Sequence, residues 1–174
     1  MILKKYGVVL NRLTHDKIEL VRNWRNDPKI AKYMEFRDYI TPEMQEKWFK
    51  TIDNDNNYFF IIEYEGKEIG LSNLKDIDWE QKIGEGGIFI YDDTYLNSDV
   101  SFRVSLCGLD FDFETLNLER VKAHILSDNK RAIQYNKMLG FELQPNQENI
   151  ENQLYYLEKE KYLKKRAYIS RLFI

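Results

Sequence analysis

One carboxylate in the chain stands in an unusual setting: Gly84-Glu85-Gly86-Gly87, inside a β-favouring run from Ile83 to Tyr91. Glycines on both sides leave room for a substrate, so Glu85 is a candidate general base, acting directly or through a water. The same pattern fits a glutamate paired with a nearby Lys or Arg at a strand edge, and both readings stand. Upstream, Trp24-Arg25-Asn26 and Tyr33-Met34 bring a guanidinium close to apolar and aromatic groups. Arg25 can meet phosphate oxygens in bidentate fashion. Trp24 and Tyr33 offer faces for a base or a sugar, with core packing as the competing use. Late in the chain, Ser127-Asp128-Asn129 follows a β-rich run from Val121 to Leu126 and opens a helix that Gly140 closes. His15, His124 and Cys107 have no metal-ligand spacing, so no metal is expected. His15 reads as structural near a helix start, His124 as structural within a strand, and Cys107 as a packed thiol beside Val104 and Phe111.

The elements that must position these residues alternate along the chain without linker, repeat or low-complexity block. Ile18, Val21 and Trp24 recur at helical spacing. Asp27-Pro28 and Thr41-Pro42 each read as an N-cap followed by Pro at the first helical position. Ile30, Tyr33 and Met34 form the expected apolar face of the helix after Asp27; Trp48, Phe49 and Ile52 follow Thr41. Tyr58 to Tyr64 predicts a strand, Glu65-Gly66-Lys67 a tight turn, and Glu68 to Leu74 its hairpin partner. Ile83 to Tyr91 predicts a third strand, with a bulge or close backbone approach at Gly86-Gly87. Val100, Val104, Cys107 and Phe111 mark one face of a helix, and the basic run from Lys159 to Arg166 reads as a solvated strand edge. Helices, then antiparallel strands, then strand-helix-strand-helix-strand predict an α/β or α+β fold with a mixed sheet.

At 174 residues the expectation is one domain spanning 1–174, large enough to bury a core without staples. A hydrophobic share of 43% excludes a disordered chain, and a net charge of −3 gives no basic field for nucleic acid. A single cysteine excludes an internal disulfide framework and fits a reducing cytoplasm. The opening residues form no signal peptide and no stretch approaches a membrane span, so no membrane partner is expected.

Asn129, Ala132-Ile133 and Leu139-Gly140-Phe141 closely resemble the C-terminal signature of the Gcn5-related N-acetyltransferase (GNAT) superfamily. Leu20 to Pro28, together with Thr41-Pro42-Glu43, Gln45 and Trp48-Phe49, resembles a GNAT subgroup that acetylates amino-sugar nucleotides for surface glycans. The resemblance implies a mixed, mostly antiparallel central sheet flanked by helices. It also implies transfer of an acetyl or related acyl group from acetyl-CoA or another acyl-CoA to the amine of a nucleotide-linked amino sugar. Glu85 would be the base. Backbone of Ile88, Phe89 and Ile90 would bind the pantetheine arm and polarise the thioester carbonyl. Trp24, Arg25, Asn26, Tyr33 and Met34 would line the acceptor cleft, and Asn129 and Arg131 would flank the coenzyme. A homodimer is one implied assembly.

The pyrophosphate of the coenzyme would sit at a helix start, on N–H groups of Asn97, Ser98, Val100 and Ser101. Here the chain departs from the family pattern. Leu96 stands where a basic or amide residue is usual, and Asp99 and Ser101 stand where small residues are usual. A carboxylate ~4 Å from a phosphate oxygen repels it by about 1 kcal/mol in water and by more where water is thinned. The alternative is that Ser98 or Asp99 caps the helix. Asn136 occupies the position where many members carry a tyrosine that protonates the leaving thiolate. Tyr135, one residue earlier, points about 100° away and reads as a core aromatic. Three alternative functions follow: a non-catalytic GNAT-fold binding module, an acyltransferase using a different acyl carrier, and an acetyltransferase of protein N-termini.

Overall fold

The computed structural model describes residues 1–173. Eight strands form one mixed sheet in the order β1-β2-β3-β4-β5-β6-β8-β7. The strands are β1 (Ile2–Lys5), β2 (Val8–Arg12), β3 (Tyr58–Tyr64), β4 (Lys67–Asp78), β5 (Ile83–Ile90), β6 (Arg120–Leu126), β7 (Glu142–Leu143) and β8 (Asn152–Glu158). The helices are α1 (Ile18–Asn26), α2 (Pro28–Ala31), α3 (Pro42–Ile52), α4 (Val100–Asp110), α5 (Lys130–Leu139) and α6 (Lys159–Ile169). Every neighbouring pair is antiparallel except β5 and β6.

Local chemistry accounts for most boundaries. Asp27 and Thr41 accept from the N–H groups of Lys29 (3.0 Å) and Met44 (3.2 Å), each followed by Pro at the first helical position. Glu65 and Gly66 both adopt positive φ, the paired left-handed conformation that a two-residue hairpin turn requires. Asn129 caps α5 by accepting from Ala132 N–H at 3.1 Å, and Gly140, at φ 107°, ends it.

The sheet has two buried faces. On one, Leu10, Phe60, Ile62, Ile90, Val121, Tyr155 and Leu157 pack with α4 and α6 residues such as Val104 and Tyr162. On the other, Phe59, Ile61 and Leu71 pack with Ile18, Val21 and Trp24 of α1 and Phe49 and Ile52 of α3. The continuous apolar run of β3 follows from burial on both faces. Among the described residues no helix is long and apolar enough to cross a membrane.

Two expectations need correction, a third is decided between its alternatives, and one hairpin was not foreseen. The run from Lys159 to Arg166 is helix α6, because Tyr162 and Ile169 turn inward, Lys164 and Lys165 stay in solvent and Arg166 reaches the buried Asp110. The helix after Asp27 lasts only four residues; Ile30 is buried, but Tyr33 is 50% exposed in the turn beyond it. Gly86-Gly87 holds no bulge: both pair in register with Leu74 and Asn73, and the irregularity lies between Lys75 and Asp78. Close approach is real there, since a Cβ on Gly87 would lie 2.8 Å from the Asn73 side-chain oxygen. The β1–β2 hairpin, with Tyr6 and Gly7 at positive φ, has no counterpart among the sequence expectations because its strands show little apolar alternation.

That hairpin is tied down by one buried carboxylate. Asp110, at the end of α4, accepts from Tyr6 Oη (2.7 Å), Tyr162 Oη (2.5 Å) and Arg166 (2.7 Å), and also pairs with Lys5. Burial alone would raise its pKa; hydrogen bonds from Lys5, Tyr162, Arg166 and Tyr6 outweigh this and hold it below its ordinary 3.8. A lowered folded-state pKa means that the carboxylate contributes stability at neutral pH, and that this contribution is lost as pH falls below the unfolded value. Asp110→Asn is therefore expected to lower unfolding free energy at pH 7 by about 3 kcal/mol. Urea titrations should also show the variant losing less stability than wild type between pH 5 and pH 3.

Candidate active site

The two parallel strands stay together only briefly. Ile83, Gly84 and Glu85 pair with Arg120, Val121 and Lys122, after which the ladder stops although β5 continues to Ile90 and β6 to Leu126. Beyond that point the strands part and leave a wedge. Backbone polarity in the wedge follows from antiparallel alternation. Tyr91 N–H donates to Ile69 O at 2.7 Å, so Phe89, two residues back, faces its β4 partner Leu71. Ile88 and Ile90 then direct their N–H and C=O groups toward the wedge. Of the three backbone positions expected to meet a pantetheine arm, Ile88 and Ile90 are available. Phe89 is not: its backbone belongs to the β4 ladder and its ring packs edge-on against Trp24 at 6.2 Å.

Two helix N-termini stand at the open end, because α4 follows β5 and α5 follows β6. Before α4, the Ser98 hydroxyl accepts from Val100 N–H at 3.2 Å and donates to Tyr95 O at 2.8 Å. Ser98, not Asp99, is thus the capping side chain. It also takes Val100 N–H out of use, and Ser98 N–H itself bonds Tyr95 O, so two of the four expected donors are occupied. The N–H groups of Asn97, Asp99, Ser101 and Phe102 have no partner among the described residues outside the helix, and first-turn donors have none inside it. Asp99 caps nothing. Its Oδ2 accepts from Arg103 Nε (3.0 Å) and Nη2 (2.8 Å), one helical turn on. Arg131, from the first turn of α5, donates to Leu96 O and brings a guanidinium to the loop. Repulsion by Asp99, expected from its sequence position, is thus met by two nearby cations.

On α5, Asn136 turns its amide back on Ala132 O (2.9 Å), which commits one of its two N–H donors to the helix. Tyr135 is a structural link to α4: its hydroxyl donates to Ser101 O (2.8 Å), contacts Ser105 Oγ (2.6 Å), and its ring packs on Phe102. Burial pushes its pKa up, which makes it an inert phenol at neutral pH.

The α1–α2 side divides into packing and open groups. Trp24 is 5% exposed, stacked on Tyr91 at 5.5 Å, and is core. Asn26 holds both backbone groups of Ile40, donating to its O (2.9 Å) and accepting from its N–H (2.8 Å). It therefore anchors the 32–40 segment, with one amide donor and one acceptor committed to Ile40. Tyr33 and Met34 lie in that segment. Arg25 differs: half-buried, it makes no hydrogen bond or ion pair among the described residues, and desolvation lowers its pKa. Its angle on α1 lies between those of Ile18 and Val21, which places it on the sheet-facing arc, at the end where Trp24 meets Phe89 and Tyr91.

Glu85 sits where the strands begin to part, 15% exposed. Its Oε1 lies 3.4 Å from Lys75 Nζ, and its Oε2 lies 3.2 Å from His124 Nδ1 and 3.9 Å from Lys122 Nζ. All four share one face because Lys75 and Lys122 are its cross-strand partners and His124 is two residues beyond Lys122. His124 was open to detection: Val121, Ala123 and Ile125 are the apolar positions of β6, so Lys122 and His124 must face the other way.

A model of the acetyltransferase (GNAT) domain matches residues 8–142, most of the chain. The protein belongs to the GNAT acetyltransferase family. A spermidine N(1)-acetyltransferase of Escherichia coli is 24% identical over 140 residues, covering 80% of this chain and 75% of that protein. Acetyltransferase PseH of Campylobacter jejuni is 22% identical over 121 residues, covering 70% and 74%. Among solved structures, Vibrio cholerae spermidine N-acetyltransferase in complex with CoA and spermine superposes with a TM-score of 0.76 at 22% identity, covering 90% of this chain and 98% of that one. A domain from Methanocaldococcus jannaschii gives 0.75 at 19% identity, covering 87% and 97%. These neighbours share the fold, and both spermidine acetyltransferases and acetyltransferase PseH stand among the relatives.

GNAT acetyltransferases use acetyl-CoA, and among the described residues no group of three or more His, Cys, Asp or Glu could hold a metal ion. In this member the α4 start carries the Asp99–Arg103 pair. Arg103→Ala should leave Asp99 uncompensated and weaken acetyl-CoA binding about tenfold, a loss of about 1.4 kcal/mol. Adding Asp99→Gly to that variant should restore most of the affinity; calorimetry on the four proteins of this cycle checks it.

Proposed function

We propose that this GNAT protein moves an acetyl group from acetyl-CoA to the primary amine of a small acceptor that also carries an anionic group, and that a nucleotide-linked amino sugar fits this description. On the donor side, the wedge would take the pantetheine arm, with Ile88 and Ile90 N–H groups toward the thioester carbonyl, where developing negative charge needs donors. The free N–H groups at the α4 start, with Arg131 beside them, would receive the pyrophosphate. A thiol has an ordinary pKa of about 8.5, so the thiolate can leave without a protein acid. The turned-back Asn136 is then no obstacle. Glu85 and its neighbours stand at the parting point of the strands, where amine and thioester would meet.

The observation that carries the acceptor class is Arg25. A guanidinium keeps its charge in proteins, so a half-buried one without a partner is a binding group in want of an anion. The diphosphate of a nucleotide sugar supplies one. A polyamine would instead bring further positive charge toward Arg25 and toward the Lys75 and Lys122 pair that shares Glu85. The polyamine reading draws its support from the spermidine acetyltransferases among the relatives and from Glu35, Asp38 and Glu151. These acids line an open groove of about 420 Å³ beside Leu126 and Asn152.

Initial rates with UDP-glucosamine and with spermidine, each with acetyl-CoA, separate the two. Turnover is expected with the nucleotide sugar, and Arg25→Ala should lower its kcat/KM by about 10–100-fold, the loss of a charged hydrogen-bond partner. If spermidine turns over and Arg25→Ala speeds it, the anionic acceptor is wrong.

A further inference from the structure

We infer that His124 is the proton acceptor of the transfer and that Glu85 positions it. The inference rests on the acyl-transfer reading above and assigns roles within that site. His124 Nδ1 lies 3.2 Å from Glu85 Oε2, an ion-pair contact in which the ring N–H is not aligned on the carboxylate, and a small turn of the imidazole aligns it. The two ring nitrogens lie on opposite edges of an imidazole. A ring that gives Nδ1–H to a carboxylate therefore turns Nε2 away as an acceptor, a tautomer set by the bond the other nitrogen makes. Nε2 has no partner among the described residues, and the His124 side chain keeps 33% of its surface open.

Glu85 is the more enclosed group, at 15%, and a substrate ammonium reaching it would have to pass Lys75 and Lys122. The charged groups that face the pair are therefore Glu85 on β5, Lys75 on β4 and Lys122 on β6. On β8 the residue opposite His124 is Leu154, which carries no charge. Two residues along, beyond Leu126, the groove wall carries Glu35, Arg37, Asp38 and Glu151. A neutral imidazole oriented by a carboxylate is the arrangement by which one side chain holds another in the correct tautomer for proton transfer.

The step balances without further reagents. One proton of the substrate ammonium passes to Nε2. The free amine attacks the thioester carbonyl, forming the C–N bond. The C–S bond breaks, and the second proton lost from nitrogen as the amide forms ends on the departing thiolate. The imidazolium then releases its proton to water.

Two measurements test the inference, and the first needs no acceptor. The chain has two histidines, so 15N-resolved imidazole spectra of wild type and His15→Asn assign His124. The neutral ring is expected in the Nδ1–H form in wild type, and Glu85→Ala should shift it toward Nε2–H. In kinetics with acetyl-CoA and whichever of UDP-glucosamine or spermidine turns over, His124→Ala should lower kcat about 100-fold. The KM for acetyl-CoA should hold, and imidazole added to the buffer should restore part of the rate. His124→Gln serves as a second variant of closer size should the alanine form fail to fold. A predominant Nε2–H tautomer in wild type, or near-wild-type kcat in His124→Ala, overturns the inference. Failure of both amines to react would instead count against the acceptor reading, leaving the tautomer to decide the dyad.

Discussion

The architecture turns on one constraint: β5 and β6 are parallel, pair over three residues, and then part. Parallel neighbours require a crossover, and α4 supplies it. The crossover sets the α4 N-terminus at the mouth of the wedge, and the next turn of chain brings the α5 N-terminus to the same mouth. Parting also strips the C-terminal half of β5 of a partner on one edge. Backbone donors that a continuous sheet would absorb are left facing a cleft. The chemistry proposed above, from thioester polarisation to pyrophosphate binding, would draw on those unpaired groups. Side chains gather at the point of parting, with Glu85 and Lys122 on the last joined pair and His124 two residues beyond it.

Electrostatics within this frame is corrective. A carboxylate at the start of α4 is unfavourable for an anionic coenzyme, yet Asp99 is held by Arg103 one turn later and Arg131 reaches the same loop from α5. Arg103 is itself fixed from outside the helix, donating to Tyr6 O at 3.0 Å and lying over the Phe173 ring. The N-terminal hairpin and the chain's last described turn therefore bear on the loop before α4. Asp110, which fastens that hairpin to α4 and α6, belongs to the same support.

Much of this was legible in the residues. Caps at Asp27, Thr41 and Asn129, the Glu65-Gly66 turn and the helix-ending Gly140 are local devices, and each acts where its residue type predicts. The family signature carried the sheet and the order of its elements. What did not read through depends on contacts distant in sequence. Trp24 looks equally suited to a ligand or a core until Phe89 and Tyr91 are seen beneath it. Asn26 resembles a substrate contact until Ile40, fourteen residues on, claims both ends of its amide. Phe89 and its neighbours Ile88 and Ile90 are indistinguishable until the pairing with β4 fixes which backbone groups face the wedge. His124 was readable as facing away from the apolar side of β6, but its meeting with Glu85 required knowing that β5 lies alongside. Arg103, four residues from Asp99, was the one local compensation within reach of spacing alone.

Calorimetric titration of the purified protein with acetyl-CoA, with coenzyme A as control, tests the central claim most directly. A wedge lined by free backbone donors and closed by a compensated helix start predicts one site per chain with micromolar affinity for acetyl-CoA. No heat at millimolar concentration would contradict it, and would mean that the parted strands of this GNAT protein do not hold the coenzyme.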